Sequence, residues 1–377
     1  MNIAIFGGTF NPVHNEHINI ALSAIKNLKL DKLFVIPTNI TPKKGGRMVA
    51  DGIDRYNMCR LAFSGFERVV VDDFEITSGG VSYSYLTCQE FVKRYPNANR
   101  YFIVGGDMLE NFPSWKNPQS ILKDFTLAVC ARVDSEKLKT GARVLEEKFG
   151  AKPVILDYVG EDVSSTKLRA LLSAGEDISQ YVDKKVAQYA STNGIFALPF
   201  AEKVKSFLTK ERWAHTVRVC VCAAIHSAKF GIDEKSAITA AILHDCAKYI
   251  PINSILLKDF TPPENVPEPV MHQFTGAYIA ANLFNIQDED ILNAIRYHTS
   301  GRENMSDLEK LIYISDMVEE GRNFDGVEEI RAAFETSLNS GMMSALTHQV
   351  NYLSKDNKKI YPLTMRAYEY MRKNNDK

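Results

Sequence analysis

At 377 residues the chain is longer than one hydrophobic core ordinarily supports, so two domains of usual size are expected. Hydrophobic content of 45% with 24% charged residues belongs to a globular protein, and 45 basic against 46 acidic residues exclude a polyanion-coating role, with no nucleic-acid partner expected. Met1 leads straight into NIAIFGG without a basic leader, and no stretch approaches twenty apolar residues, so neither export nor membrane insertion is expected and the reading is cytoplasmic.

Taken in chain order, the apolar runs are NIAIF (2–6), KLFVIP (32–37), VVVDDF (69–74), RYFIVGG (100–106), FTLAVCA (125–131) and PVILDY (153–158), separated by helix-length segments. That alternation predicts an α/β fold with a doubly wound parallel sheet, which takes its ligands at the carboxyl ends of the strands. Beyond Phe196 the strand signal stops, and helical periodicity runs to Lys377 with breaks such as TPPENVPEP at 261–269. The second half is therefore expected to be an all-α bundle. Asn-Gly and Pro punctuation in ASTNGIFALPF at 190–200 sets the expected domains at 1–196 and 197–377. Cys59, Cys88, Cys130, Cys220, Cys222 and Cys246 form no paired CxxC sets and sit mostly in apolar stretches, where a buried thiol in a reducing cytosol is the expectation.

Directly after the first run comes GGTFNPVHNEH at 7–17. Gly7 and Gly8 permit close backbone approach, the following helix turns its amino-terminal amides toward a phosphate, and His14 and His17 can stabilise charge on a triphosphate. A second anion site is expected in VSSTKLRALL at 163–172, where hydroxyls open a helix and Arg169 can make a forked contact. These two motifs resemble the HxGH and Ser-Ser-Thr-x-Leu-Arg signatures of the Rossmann-like nucleotidyltransferases, specifically bacterial nicotinate-nucleotide adenylyltransferase, over about residues 1–196. The resemblance extends to PTNITPKK, DRYNMCRLAF, GGVSYSYLT and FIVGGDMLENFPSW. It implies that Gly7, Gly8, Thr9, Phe10, His14, His17, Gly105, Asp107, Ser165, Thr166 and Arg169 surround ATP with its Mg2+, with His14, His17 and Arg169 catalytic. Lys44, Tyr83 and Ser84 would contact nicotinate mononucleotide, and Trp115 would stack on the pyridine ring, unless it is only core packing. Two departures stand out: Glu16 replaces the signature glycine, and Thr41-Pro42-Lys43-Lys44 replaces Pro-Pro-His-Lys. Because a carboxylate beside ATP repels phosphate, Glu16 is expected to point outward.

In the second half, His215, His244-Asp245, His272, His298 and Asp316 follow one another, an imidazole and carboxylate set suited to two divalent transition-metal ions. Two such ions lower the pKa of water between them and neutralise charge on an attacked phosphoryl group. The surrounding sequences, ERWAHTVRV, AAILHDCAKY, MHQFTGA and YHTSGRENMSDLEKLIYISDMVEEGRNFDG, resemble the HD-domain superfamily, and within it the symmetrical diadenosine tetraphosphate hydrolases. The resemblance implies one metal on His215, His244, Asp245 and Asp316 and a second on His272 and His298, with Asp245 bridging and iron favoured over manganese or zinc. Lys248, three residues after Asp245, is expected to meet a substrate phosphate, against the plainer reading of a lysine paired with a local acid; Arg302 and Arg322 carry the same two readings. His226 lies about 16 Å along the helix from His215 and is taken as structural, as is His348.

The substrates implied are thus ATP, nicotinate mononucleotide and diadenosine tetraphosphate, and the apolar helices leave room for a homodimer. Alternatives are a nicotinamide mononucleotide or phosphopantetheine adenylyltransferase in the first domain, and an HD nucleotidase or a non-catalytic nucleotide-binding module in the second.

Overall fold

The computed structural model describes residues 1–41, 46–130, 135–158, 160, 163–355 and 360–375. Two compact units emerge. The first comprises Met1–Lys44, Val49–Leu168 and Asp177–Ile195; the second comprises Gly45–Met48, Arg169–Glu176 and Phe196–Lys377.

The first unit is built on six parallel strands, β1 (Asn2–Gly8), β2 (Lys32–Pro37), β3 (Val69–Val71), β4 (Asn99–Gly105), β5 (Thr126–Cys130) and β6 (Val154–Leu156), in spatial order β3-β2-β1-β4-β5-β6. Ile3 and Ile5 of β1, Phe34 and Ile36 of β2, and Phe102 and Val104 of β4 are buried beneath covering helices, which accounts for the near-continuous apolar strand sequences. All six apolar runs become strands. β3 is shorter than its run because the Asp72 carboxylate accepts the Phe74 amide at 3.0 Å and turns the chain into a short helix, Phe74–Ser78. Strand order reverses between β1 and β4, which pair in parallel, so the crevice at their carboxyl ends is the switch point of the sheet.

The second unit is helical from Phe196 onward. Four of its helices begin at a side chain that accepts an otherwise orphaned amide. Thr209 caps Lys210–Lys229, Asp233 caps Glu234–Leu243 and Asp288 caps Glu289–Arg296. Ser306 and Glu309 form a reciprocal capping box on Asp307–Val318. The core is rich in small and branched side chains, among them Ala223, Ala240, Ile242, Ile295, Leu311 and Ile314. No helix among the described residues is long and apolar enough to cross a membrane.

Candidate active sites

The loop after β1 carries the first cluster. A Cβ on Gly8 would stand 3.0 Å from the Phe10 ring, so glycine lets that ring fold back under the loop. Phe10 is buried with a left-handed φ of 49° and packs edge-on against the His17 ring at 4.9 Å between centroids. His14 is the amino-terminal cap of the helix Asn15–Asn27, and its ring lies 3.9 Å from that of His17. The His14 amide donates to His17 Nδ1 at 3.2 Å, which fixes a neutral His17 with its proton on Nε2. His17 therefore presents a donor, suited to a phosphate oxygen. Arg55, 1% exposed, anchors the loop by donating to the carbonyls of Ala50, Thr9 and Asn39, each at 2.9 Å. Burial pulls its pKa below the ordinary arginine value, with Cys59, Asp51 and Glu75 opposing.

Gly105 ends β4 beside this loop, Ser165 Oγ donates to the Pro12 carbonyl at 3.1 Å, and Thr166 is half-buried on the same helix start. Tyr83 caps the helix Ser84–Arg94, with the Lys116 ammonium 4.2 Å over its ring. Trp115 is half-buried, edge-on to Phe102 and tilted on Phe112. Packing thus claims part of its indole. Lys44 and the Asp107 side chain lie outside the described residues.

One expectation is corrected. Glu16 does not point outward: it is 2% exposed, and the Tyr158 hydroxyl donates to its carboxylate. A carboxylate in the first helical turn suits the macrodipole, and Tyr158 satisfies it away from water. Arg169, expected to make a forked phosphate contact, here meets a carboxylate. It belongs to the second unit, is 3% exposed, and places Nε and Nη2 on Glu234 Oε1 at 2.9 and 2.6 Å. A buried guanidinium demands an anion, and Glu234 supplies it. Burial lowers the Arg169 pKa while Glu234 raises it.

In the second unit, His215 comes from Lys210–Lys229, His244 and Asp245 from the end of Glu234–Leu243, His272 from Glu268–Asn282, His298 from the turn after Glu289–Arg296, and Asp316 from Asp307–Val318. Ligand atoms of His215, His244 and Asp316 lie within 4.8 Å of one another, as do those of His244, Asp245 and His298. His272 joins the second group, its Nε2 standing 3.2 Å from Asp245 Oδ1 and 3.1 Å from His298 Nε2.

The ring orientations suit a cation. His244 Nδ1 donates to the Ala241 carbonyl at 2.6 Å, His298 Nδ1 to that of Ile295 at 2.8 Å, and His215 Nδ1 to the Glu319 carboxylate at 3.1 Å. With those protons on Nδ1, all three Nε2 lone pairs face inward. His215 Nε2, His244 Nε2 and Asp245 Oδ1 are buried without a hydrogen bond of proper geometry, although Asp316 Oδ1 stands 2.9 Å from His215 Nε2. Acceptors facing acceptors in a buried pocket are what divalent metal ligation requires, so the residues fit the implied ions.

Burial opposes charge on Asp245, but His244, His272 and His298 outweigh it and hold the carboxyl well below its ordinary value. Asp316 is likewise lowered against burial by His215, His244 and Arg322. Burial pulls His272 down to about 4, against the raising contact with Asp245, which keeps it neutral and able to ligate at neutral pH.

Cations surround these carboxylates. Arg212 lies 3.0 Å from Asp245 Oδ2, Arg322 lies 2.6 Å from Asp316 Oδ1, and the Lys248 ammonium stands 3.2 Å from His272 Nε2 and 3.9 Å from Asp245. Lys248 sits in a turn rather than on a helix, and burial lowers its pKa against the pull of Asp245. Arg302 instead pairs with Glu309 at 2.8 Å. His226 stacks on Phe334 and meets Glu335 at 2.9 Å, and His348 packs on Phe324, neither within a cluster of candidate ligands. Among the cysteines only Cys222 is half-buried; the others are buried and all are free, with burial raising their thiol pKa values. Sequence reasoning missed Arg55, Arg212, Glu234 and Glu319. For Arg212 and Glu319 a signal existed, since each stands three residues along a helical path from a candidate ligand, His215 and Asp316.

Fold and clusters together define a nucleotidyltransferase-like α/β unit joined in one chain to an HD unit. Comparison agrees: the cytidylyltransferase-like family matches residues 5–171 and the HD domain matches residues 212–321. A relative from Mycoplasma genitalium, "Probable nicotinate-nucleotide adenylyltransferase/Ap4A hydrolase", is 31% identical over 324 residues, 85% of this chain and 88% of its own. The chain belongs to this family of two-part proteins. A "Probable nicotinate-nucleotide adenylyltransferase" from Clostridium tetani is 36% identical over 195 residues, 51% of this chain and 98% of its own. A Bacillus subtilis "Bis(5'-nucleosyl)-tetraphosphatase, symmetrical" is 40% identical over 174 residues, 45% of this chain and 93% of its own.

Proposed function

We propose that this chain is a bifunctional enzyme: its first part adenylates nicotinate mononucleotide with ATP, and its second cleaves diadenosine tetraphosphate symmetrically. The observation that carries this reading is the coexistence of a His14–His17 pair at a sheet switch point with a buried cluster of inward-facing imidazoles and carboxylates.

In the first reaction a phosphate oxygen of nicotinate mononucleotide attacks the α-phosphorus of magnesium ATP. A new P–O bond forms, the bond to the β-phosphate bridge breaks, and pyrophosphate leaves with nicotinic acid adenine dinucleotide as product. His17 donates from Nε2 to the phosphates, His14 lies beside it, and the loop held by Arg55 keeps both in place. Gly7, Gly8, Thr9, Phe10, Gly105, Asp107, Ser165 and Thr166 form the ATP side in this reading. Lys44, Tyr83, Ser84 and the free face of Trp115 form the mononucleotide side.

In the second reaction His215, His244, Asp245 and Asp316 would hold one divalent transition metal and His272 and His298 another, with Asp245 shared; iron is favoured. The bound ions supply a water of lowered pKa and neutralise phosphoryl charge. Asp245 is held ionised, His272 is held neutral, and Arg212, Lys248 and Arg322 line the cluster as phosphate partners. Water adds at one central phosphorus, the P–O bridge to the other breaks, and two ADP result. We place both activities in the cytosol.

Incubation with ATP and, separately, nicotinate mononucleotide, nicotinamide mononucleotide or phosphopantetheine tests the first assignment; absence of nicotinic acid adenine dinucleotide would overturn it. Diadenosine tetraphosphate should yield two ADP, and AMP plus ATP would refute symmetrical cleavage.

A further inference from the structure

His215 differs from the other inward-facing histidines in what its second nitrogen meets. His244 and His298 donate to neutral backbone carbonyls, whereas His215 donates to the carboxylate of Glu319, 2% exposed at the end of the helix Asp307–Val318. That carboxylate is itself fixed. Arg218 donates to it through Nε at 2.5 Å and Nη2 at 3.2 Å, and the Gly321 amide donates at 2.6 Å. Arg218 lies three residues after His215 on the same helix, so one helix face supplies both partners. Gly321 completes the arrangement: a Cβ there would stand 2.6 Å from Arg218 Nε, so the guanidinium would have to shift from its present place.

We propose that Glu319 is a positioning residue that sets His215 as a metal ligand and makes the His215–His244–Asp316 position the tighter of two cation positions. The inference rests on the reading that this unit binds two divalent cations. A carboxylate behind a ligating imidazole fixes the tautomer, locks the ring plane and raises ligand basicity more than a carbonyl does. The two positions are thereby unequal. His244 of the first position and His298 of the second bring carbonyl-backed rings, while His272 has the Lys248 ammonium 3.4 Å from Nδ1 and 3.2 Å from Nε2. Arg322, 2.6 Å from Asp316 Oδ1, sets a positive charge beside the first position as well, so the difference between the two rests on the Glu319 carboxylate behind His215. The His215 position should therefore fill first.

The test is competitive titration of the full-length, chelator-stripped protein with Co2+, followed by its visible absorption. Two classes of site are expected in the wild type. Glu319→Gln, of the same shape, should weaken the tight class on the order of 10–100-fold. The weak class should stay within about threefold, which shows that the variant is folded. His215→Ala should abolish the tight class and spare the weak one. Arg218→Met, which leaves the His215–Glu319 bond, should keep the tight class within about threefold. No Co2+ binding by the wild type would sink the metal reading itself. Two bound ions with an unchanged tight class in Glu319→Gln, loss of the weak class in His215→Ala, or equal weakening by Arg218→Met and Glu319→Gln would overturn this inference alone.

Discussion

Several side chains in this protein do work that their residue type does not announce. Arg169 and Glu234 form an ion pair closed to solvent, with side chains 4% and 2% exposed. Removing one partner strands a buried charge, so Arg169→Met or Glu234→Gln alone should cost about 3–5 kcal/mol. The double replacement should recover much of that, as a double-mutant cycle by urea unfolding will read. His272 offers a second check. Its folded pKa is about 4 against an ordinary 6.5, chiefly from burial, so the unfolded chain binds more protons between those values. Its contribution to stability is complete above pH 6.5, falls as pH drops toward 4, and then levels. Metal-free protein should lose up to about 3 kcal/mol across that window from this group, and His272→Gln should flatten the slope in pH-dependent unfolding.

At the scale of elements, the apolar runs of the central strands β1, β2, β4 and β5 were legible because a strand covered on both faces is hydrophobic at nearly every position. The helix starts of the second half were legible in kind, since Thr209, Asp233, Asp288 and Ser306 are residue types that accept amides. The end of β3 was not, because Asp72 acts through a turn bond that an apolar run conceals. Nor was the anchoring of the first loop by Arg55, whose partners are carbonyls of Thr9, Asn39 and Ala50 and so carry no side-chain signature. Arg55→Met should leave the buried Thr9 carbonyl and the half-buried carbonyls of Asn39 and Ala50 without this donor. It should destabilise the first unit by about 3 kcal/mol and cut adenylyl transfer more than tenfold, measured by thermal melts and product formation.

At the scale of the whole molecule, each unit has its own core, one around Ile5, Phe102 and Phe112 and the other around Ile242, Ile295 and Leu311. Asp245→Ala removes a carboxylate shared by three imidazoles. It should reduce diadenosine tetraphosphate hydrolysis by at least 100-fold while adenylyl transfer stays within about twofold, and parallel loss of both would contradict independent sites. The sequence by itself determined the parallel-sheet and helical halves, the His14–His17 pair and the set of candidate metal ligands, because periodicity and ligand chemistry are properties of residue type and local spacing. Only the tertiary structure decided that Glu16 is buried against Tyr158, that Arg169 meets Glu234, and that Glu319 stands behind His215. Each of these partnerships joins residues 65 to 142 positions apart, and a charged side chain finds its buried counterpart through packing that no local pattern encodes.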